Sequence, residues 1–356
     1  MSALFQPFTL RDVEFRNRLF VSPMCQYSAG DDGVPTDWHL IHLGSRAVGG
    51  AGMVMTEATA VSREGRISAA DLGIWSEEQV TAFKRITSFI EEHGAVPAIQ
   101  LAHAGRKAST HLPWDGVSGP VDVADGGWEP VGPSPLAFNE GYAEPHELTT
   151  SEVRQVIDDF AAGAERAARA GFRVIEIHEA HGYLIAQFLS PFSNQRTDEY
   201  GGDFAGRIRL GVEVARAIRE SVGRDTAVIV RVSASEYVED GWDLEQTIAL
   251  SAELKQAGVD FIDASSGGNL PHQKLRVYPG YQVPFARAIR EQAGIPTGAV
   301  GLITSASHAD AIIAGGDADA VFMAREELRD PYWPLHAAAE LGDEITWPKQ
   351  YARAKR

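Results

Sequence analysis

Only one cysteine, Cys25, occurs in the 356 residues. An intrachain disulfide is therefore excluded, as are a thiolate-built zinc site and a cysteine-ligated iron–sulfur cluster. No run approaches the 18 apolar residues that a membrane-spanning helix needs. The opening "MSALFQPFTLRDVEFRNR" lacks the basic stretch and apolar core of a secretory leader, which sets the expectation of a cytoplasmic protein. Positive charge is also scarce. Against 49 acidic residues stand 32 basic ones, for a formal net charge of −17. Such a field repels nucleic acid and anionic membranes and says nothing about small ligands. Finally, no G-x-G-x-x-G turn follows the first β-rich run, which ends "SPMCQYS" and so does not favour an open dinucleotide-binding sheet.

What is present is alternation. Eight β-rich runs recur: "RLFVSPM", "GMVMTEATAV", "VPAIQLA", "FRVIEIH", "AVIVRVSAS", "VDFIDASS", "IPTGAVG" and "DAVFMA". Helical periodicity falls between them. Residues 76–93 place Val80, Phe83, Ile86 and Ile90 on one face, and residues 149–170 open with Thr149 and Glu152 in capping-box spacing. Further helices are expected over 204–222, 244–257, 283–293 and 304–314. The pattern predicts an α/β chain folded as one (β/α)8 TIM barrel over residues 1–356, with its site at the C-terminal strand ends. The connection 103–148, rich in proline, is too long for a plain loop and is expected to cap that site. The end, "TWPKQYARAKR", is a basic tail on an acidic chain.

Strand parity sharpens the position of the site. With Ile175 and Ile177 turned to the helices, Glu176 and His178 face the barrel axis. By the same count Gln100, Arg231, Ser233 and Ser235 face inward. Polar groups inside a barrel are costly unless paired or ligand-bound. Glu176 and Arg231 are thus either a structural ion pair or part of a ligand site. "HEAHGYLIAQFLSP" (178–191) then releases His178, His181 and Tyr183 at one strand end, a set that serves metal binding, acid–base work, an oxyanion clamp or packing. No H-E-x-x-H motif and no third ligand at familiar spacing support a metal. Glycines at "SSGGN" (265–269) and "GAVGLIT" (298–304), with Arg325 in "FMAREEL", suit a phosphate held by backbone N–H groups and a guanidinium.

Together these stretches resemble the Old Yellow Enzyme family of flavin-dependent ene-reductases, and within it the bacterial YqjM-like branch with a cysteine under the flavin. The likeness runs from "NRLFVSPMCQYS" (17–28) and "EATAVSREGRIS" (57–68) through "IQLAHAGRKA" (99–108). It continues with "IEIHEAHGYLIAQFLSPFSNQRTDEYGG" (175–202), "VRVSASEY" (230–237), "GYQVPFARAIRE" (280–291) and "AREELRDPYW" (324–333). The resemblance implies bound FMN and NADPH or NADH as reductant. It implies that Pro23, Met24, Cys25 and Ala58 line the isoalloxazine ring and that Gln100 and Arg231 bind its pyrimidine side. Gly268, Gly301, Ala324 and Arg325 would hold the phosphate, with Ala324 standing where the family usually has glycine. His178 and His181 would bind the substrate oxygen, Tyr183 would protonate the α-carbon, and Tyr27 would line the substrate pocket. Arg353 aligns with an arginine that enters a neighbouring subunit's pocket in a homodimer or homotetramer, although Ala-Lys-Arg follows it here in place of the family's Gly-Trp. The implied reaction is reduction of enones, enals, maleimides or nitroalkenes. A flavin sensor without turnover, or an oxidative amine-demethylating relative, is the alternative.

Overall fold

The computed structural model describes residues 1–355. Eight parallel strands close a barrel: β1 (Leu19–Val21), β2 (Met53–Ala60), β3 (Val96–Ala102), β4 (Val174–Glu179), β5 (Ala227–Ser233), β6 (Phe261–Ser265), β7 (Thr297–Ala299) and β8 (Ala320–Met323). Each strand lies between its sequence neighbours and β8 closes onto β1, as expected from the eight β-rich runs. Ten helices are α1 (Asp37–Val48), α2 (Glu77–Glu92), α3 (Thr150–Arg169), α4 (Leu184–Leu189), α5 (Phe204–Ser221), α6 (Leu244–Gln256), α7 (Val283–Ala293), α8 (Ala306–Ala314), α9 (Arg325–Arg329) and α10 (Trp333–Leu341).

Two apolar clusters follow from strand alternation. Ile99, Leu101, Ile175, Ile177, Val228, Val230 and Val232 pack outward with Val80, Phe83, Ile86 and Ile90 of α2. Phe20, Met53, Met55, Ala98, Val174, Ile229, Phe261 and Phe322 fill the barrel itself. An N-terminal hairpin, Phe8–Leu10 with Val13–Phe15, adds Leu10, Val13 and Phe15 to that inner cluster. Phe15 and Phe20 meet at 4.9 Å between ring centroids. The lower barrel is thus a packed apolar plug, and polar inward residues occur only above it.

Helix ends obey local chemistry. The Thr149 hydroxyl accepts from Glu152 N–H at 3.3 Å while the Glu152 carboxylate accepts from Thr149 N–H at 2.7 Å, the reciprocal cap read in the sequence. Helix α1 had no sequence-based expectation. Its buried face carries His39, His42 and Arg46 beside Leu43 and Ala47, so polar side chains hide its apolar stripe. The long connection 103–148 contains two 3₁₀ turns and a short parallel pair, Val131–Gly132 with His146–Glu147.

Candidate active site

Register stacks the polar residues into one belt. Gln100 on β3 lies opposite Glu176 on β4, His178 opposite Arg231 on β5, and Arg231 opposite Asp263 on β6. Gln100 Nε2 donates to Glu176 Oε1 at 2.7 Å. Arg231 Nε lies 3.2 Å from Asp263 Oδ2, and its Nη1 donates to Ser22 Oγ at 3.1 Å. The structural pair is therefore Arg231–Asp263, where the sequence had offered Glu176–Arg231. Asp263 was legible: it has inward parity in "FIDAS", between Phe261 and Ser265. Burial raises the Asp263 pKa to about 6 against the pull of Arg231. Burial, and then Asp263, push Glu176 well above the carboxylate range, so Glu176 holds its proton beside a single ion pair.

Directly above, the exit of β4 turns sharply. His178 and His181 rings meet nearly perpendicular at 5.3 Å, and His178 faces the Tyr183 ring at 4.9 Å. His178 Nδ1 accepts from Ala180 N–H at 3.3 Å, which puts its proton on Nε2. The backbone N–H of His181 donates to Ser233 Oγ at 2.9 Å, and its Nε2 meets Ser265 Oγ at 2.8 Å. Burial, followed by the Arg231 charge, lowers both imidazole pKa values well below the ordinary range. Burial raises the Tyr183 phenol well above its ordinary value. The set thus stands as two neutral imidazoles and a protonated phenol. Glu179, between the histidines, points away from them: its carboxylate lies in the helix layer, where a Cβ on Gly211 would approach Oε2 to 2.8 Å.

Lys107, missed in the sequence although it ends the "HAGRK" turn after β3, joins this group. Its Nζ donates to His181 O at 2.8 Å and Gly268 O at 3.1 Å, and lies 4.9 Å from the Tyr183 ring centroid. Burial and neighbouring Arg106 lower its pKa to about 8. His181 adopts φ 58° and Gly268 φ 97°, and a Cβ on Gly268 would sit 2.5 Å from His181 Cα. Only glycine permits that approach.

The loop after β1 forms the opposite wall. Glu57 Oε2 accepts from Gln26 N–H at 2.7 Å and Tyr27 N–H at 3.3 Å, and Glu57 Oε1 lies 3.3 Å from His39 Nε2. Tyr27 is held at φ 48° with its ring 5.9 Å from Trp114 in the long connection. Burial, then the Glu57 carboxylate, raises the Cys25 thiol pKa, so Cys25 is a neutral thiol. Pro23 and Met24 are half-buried, and Ala58 is buried at the irregularity in β2. Across the barrel a cavity of about 180 Å³ is lined by Arg231, Ser265, Gly301, Leu302, Ala324 and Arg325, among others. Gly268, expected there, sits instead against His181, because the chain after β6 turns back over the exit of β4. Arg353 is exposed in the 3₁₀ turn Lys349–Ala354, and Arg356 lies outside the described residues.

The sequence profile described as the NADH:flavin oxidoreductase / NADH oxidase family matches residues 3–344. The chain belongs to that family. The family's relatives agree along the whole chain. An NADPH dehydrogenase of Geobacillus sp. (strain WCH70) is 49% identical over 99% of this chain and 98% of its own length. One from Listeria innocua is 48% identical over 99% of each. Among solved structures, morphinone reductase superposes with a TM-score of 0.79 at 27% identity, covering 98% of this chain and 92% of that one. The Old Yellow Enzyme homologue of Zymomonas mobilis gives 0.78 at 26%, covering 99% and 98%. The chain is thus an FMN-dependent oxidoreductase of the Old Yellow Enzyme family, reduced by a nicotinamide nucleotide.

The residues present fit that flavin family's cofactor. The 180 Å³ cavity carries three guanidinium groups, Arg231, Arg325 and Arg329, and Gly301 in a positive-φ turn, a set suited to phosphate and ribityl oxygens. Gln100 commits its nitrogen to Glu176, which leaves its Oε1 to accept from a ring N–H. Arg231, held by Asp263 at Nε and by Ser22 at Nη1, keeps its guanidinium at the cavity wall, a positive charge suited to an electron-rich ring edge.

Proposed function

We propose that the protein reduces activated alkenes (enones, enals, maleimides and nitroalkenes) at the exit of β4. Bound FMN, once reduced by NADPH or NADH, supplies a hydride to the β-carbon. Negative charge then develops on the substrate's carbonyl or nitro oxygen. Neutral imidazoles donate hydrogen bonds there without being deprotonated, and His178 Nε2 and His181 Nδ1 are the ring positions left for that work. The α-carbon takes its proton from Tyr183, whose raised pKa keeps it loaded at neutral pH. Arg231 sets a positive charge beside the flavin's pyrimidine side, and Pro23, Met24, Cys25, Ala58 and Tyr27 wall the pocket. Nicotinamide and alkene use that pocket in turn. The exposed Arg353 completes the pocket of a neighbouring subunit in a homodimer or homotetramer.

The observation that supports this reading best is the joint state of three side chains: neutral His178 and His181 rings 5.3 Å apart, with His178 4.9 Å from a protonated phenol. Anaerobic stopped-flow absorbance tests it in two halves. Tyr183→Phe should slow reoxidation by cyclohexenone while leaving reduction by NADPH largely intact. Equal loss in both halves would remove Tyr183 as the acid. A wild-type flavin that bleaches with NADPH yet is never reoxidised by any alkene would remove the reading itself.

A further inference from the structure

The connection from β6 to α7, residues 270–279, runs from the histidine pair to the phosphate-side cavity. At its start Asn269 O accepts from Arg106 Nη2 at 2.8 Å, and at its end Gly280 N–H donates to Gly301 O at 2.8 Å. Between these anchors the chain alternates. Gln273 and Leu275 turn inward onto Gly267, where an added Cβ would meet Gln273 Oε1 at 2.7 Å and Leu275 Cδ1 at 3.2 Å. His272, Lys274 and Arg276 turn to solvent. Exposure thus alternates residue by residue from His272 to Arg276, a period of two.

The outward row is unusual for this chain. Nearby Arg287, Arg290 and Arg329 each pair with a carboxylate, Glu291, Asp319 and Glu326. Among the described residues none of His272, Lys274 and Arg276 does. Two unpaired cations, Lys274 and Arg276, thus stand together with His272 on this connection in a protein of net charge −17. An aromatic follows them: Tyr278 is 48% exposed, and its ring lies 6.3 Å from Tyr281, which lines the cavity.

We propose that His272, Lys274 and Arg276 recognise the 2′-phosphate of NADPH, with Tyr278 offering its face to the adenine. The reductant is an anion that must approach a strongly acidic protein, so the adjacent Lys274 and Arg276 charges supply the attraction the net charge denies. NADPH differs from NADH by one phosphate, and guanidinium and ammonium groups are its natural donors. Lys274 and Arg276 are two residues apart on one face, about 7 Å along an extended chain, and long side chains can converge on a phosphate between them. The proposal rests on nicotinamide-dependent reduction and not on the alkene reading.

The test is the reductive half-reaction, with no alkene present. Wild type, Lys274→Ala, Arg276→Ala and the double variant are mixed anaerobically with NADPH or NADH, and flavin bleaching gives the apparent Kd of each. Each single variant should weaken NADPH about two- to fivefold, as exposed charge pairs do, and the double variant more, with NADH unchanged. Calorimetry with 2′,5′-ADP, on holoenzyme and apoprotein alike, should show binding that the double variant loses, and 5′-AMP should bind weakly to both. Raised salt should erode the NADPH advantage. An unchanged NADPH affinity in the double variant would overturn the proposal, and so would equal weakening of both nucleotides. Neither result touches cyclohexenone reduction by chemically reduced enzyme, which reports on the alkene reading alone.

Discussion

The Lys107 ammonium lies 2.8 Å from the carbonyl oxygen of His181 and 4.9 Å from the ring centroid of Tyr183. One cation thus fixes the turn that carries His181 and sits against the phenol proposed as the proton donor. A positive charge there stabilises the phenolate left by proton donation. With its pKa lowered to about 8, Lys107 loses that charge as pH rises through 8. The oxidative half-reaction should therefore fall on the alkaline side of pH 8. Lys107→Met should be slower throughout and lack that limb. A limb that persists in the variant would assign it to another group.

Ser265 should decide how His181 is used. The serine hydroxyl meets Nε2 at 2.8 Å and lies farther, at 3.4 Å, from Gln282 Oε1; when it donates to Nε2 it places the imidazole proton on Nδ1. His178→Ala and His181→Ala should each cost on the order of 10²–10³ in the alkene step, as the loss of an oxyanion donor does. Ser265→Ala should cost less, about tenfold, since it loosens the ring without removing it. Single-turnover reoxidation rates check all three, and a Ser265→Ala rate equal to wild type would show that the serine does not direct the tautomer.

Glu179 carries a stability prediction. Both its oxygens lack hydrogen-bond partners, and burial raises its pKa from 4.5 to about 8. The native state therefore holds a proton that the unfolded chain releases above pH 4.5. Stability contributed at low pH is lost progressively as pH rises from about 4.5 through 8. Glu179→Gln keeps the shape without the ionisation. It should match wild type near pH 5 and exceed it by several kcal/mol at pH 9 in denaturant melts.

Arg231 neutralises Asp263 inside the barrel. Arg231→Ala should destabilise the protein by about 3–5 kcal/mol, because it strands a buried carboxylate beside Glu176. Arg231→Ala combined with Asp263→Asn should recover part of that loss. The comparison is made on apoprotein by urea unfolding, so that flavin binding does not enter. Additive destabilisation in the double variant would contradict the pairing.

Much of the fold was legible because it follows from periodicity. Eight β-rich runs marked the strands, and parity in three of them placed Gln100, Glu176, His178 and Arg231 on the barrel axis. Helix α1 was not legible, since His39, His42 and Arg46 occupy the positions where apolar residues would reveal a buried face. Their burial depends on partners far along the chain, such as Glu57 for His39 and the Glu327 carbonyl, which accepts from Arg46.

The sequence by itself determined the alternation, the face on which each strand residue stands and the clustering of His178, His181 and Tyr183 within six residues. It also determined the family, because matches recur at every strand exit. Tertiary structure alone decided which charges pair and which protons are held. Asp263, and not Glu176, neutralises Arg231; Lys107 crosses from β3 to grip the turn after β4; Gly268 packs against His181, while Gly301 and Arg325 line the 180 Å³ cavity. The physical reason is range. Side-chain direction is set by local backbone geometry, whereas desolvation and ion pairing depend on residues that only a closed barrel brings within a few ångströms.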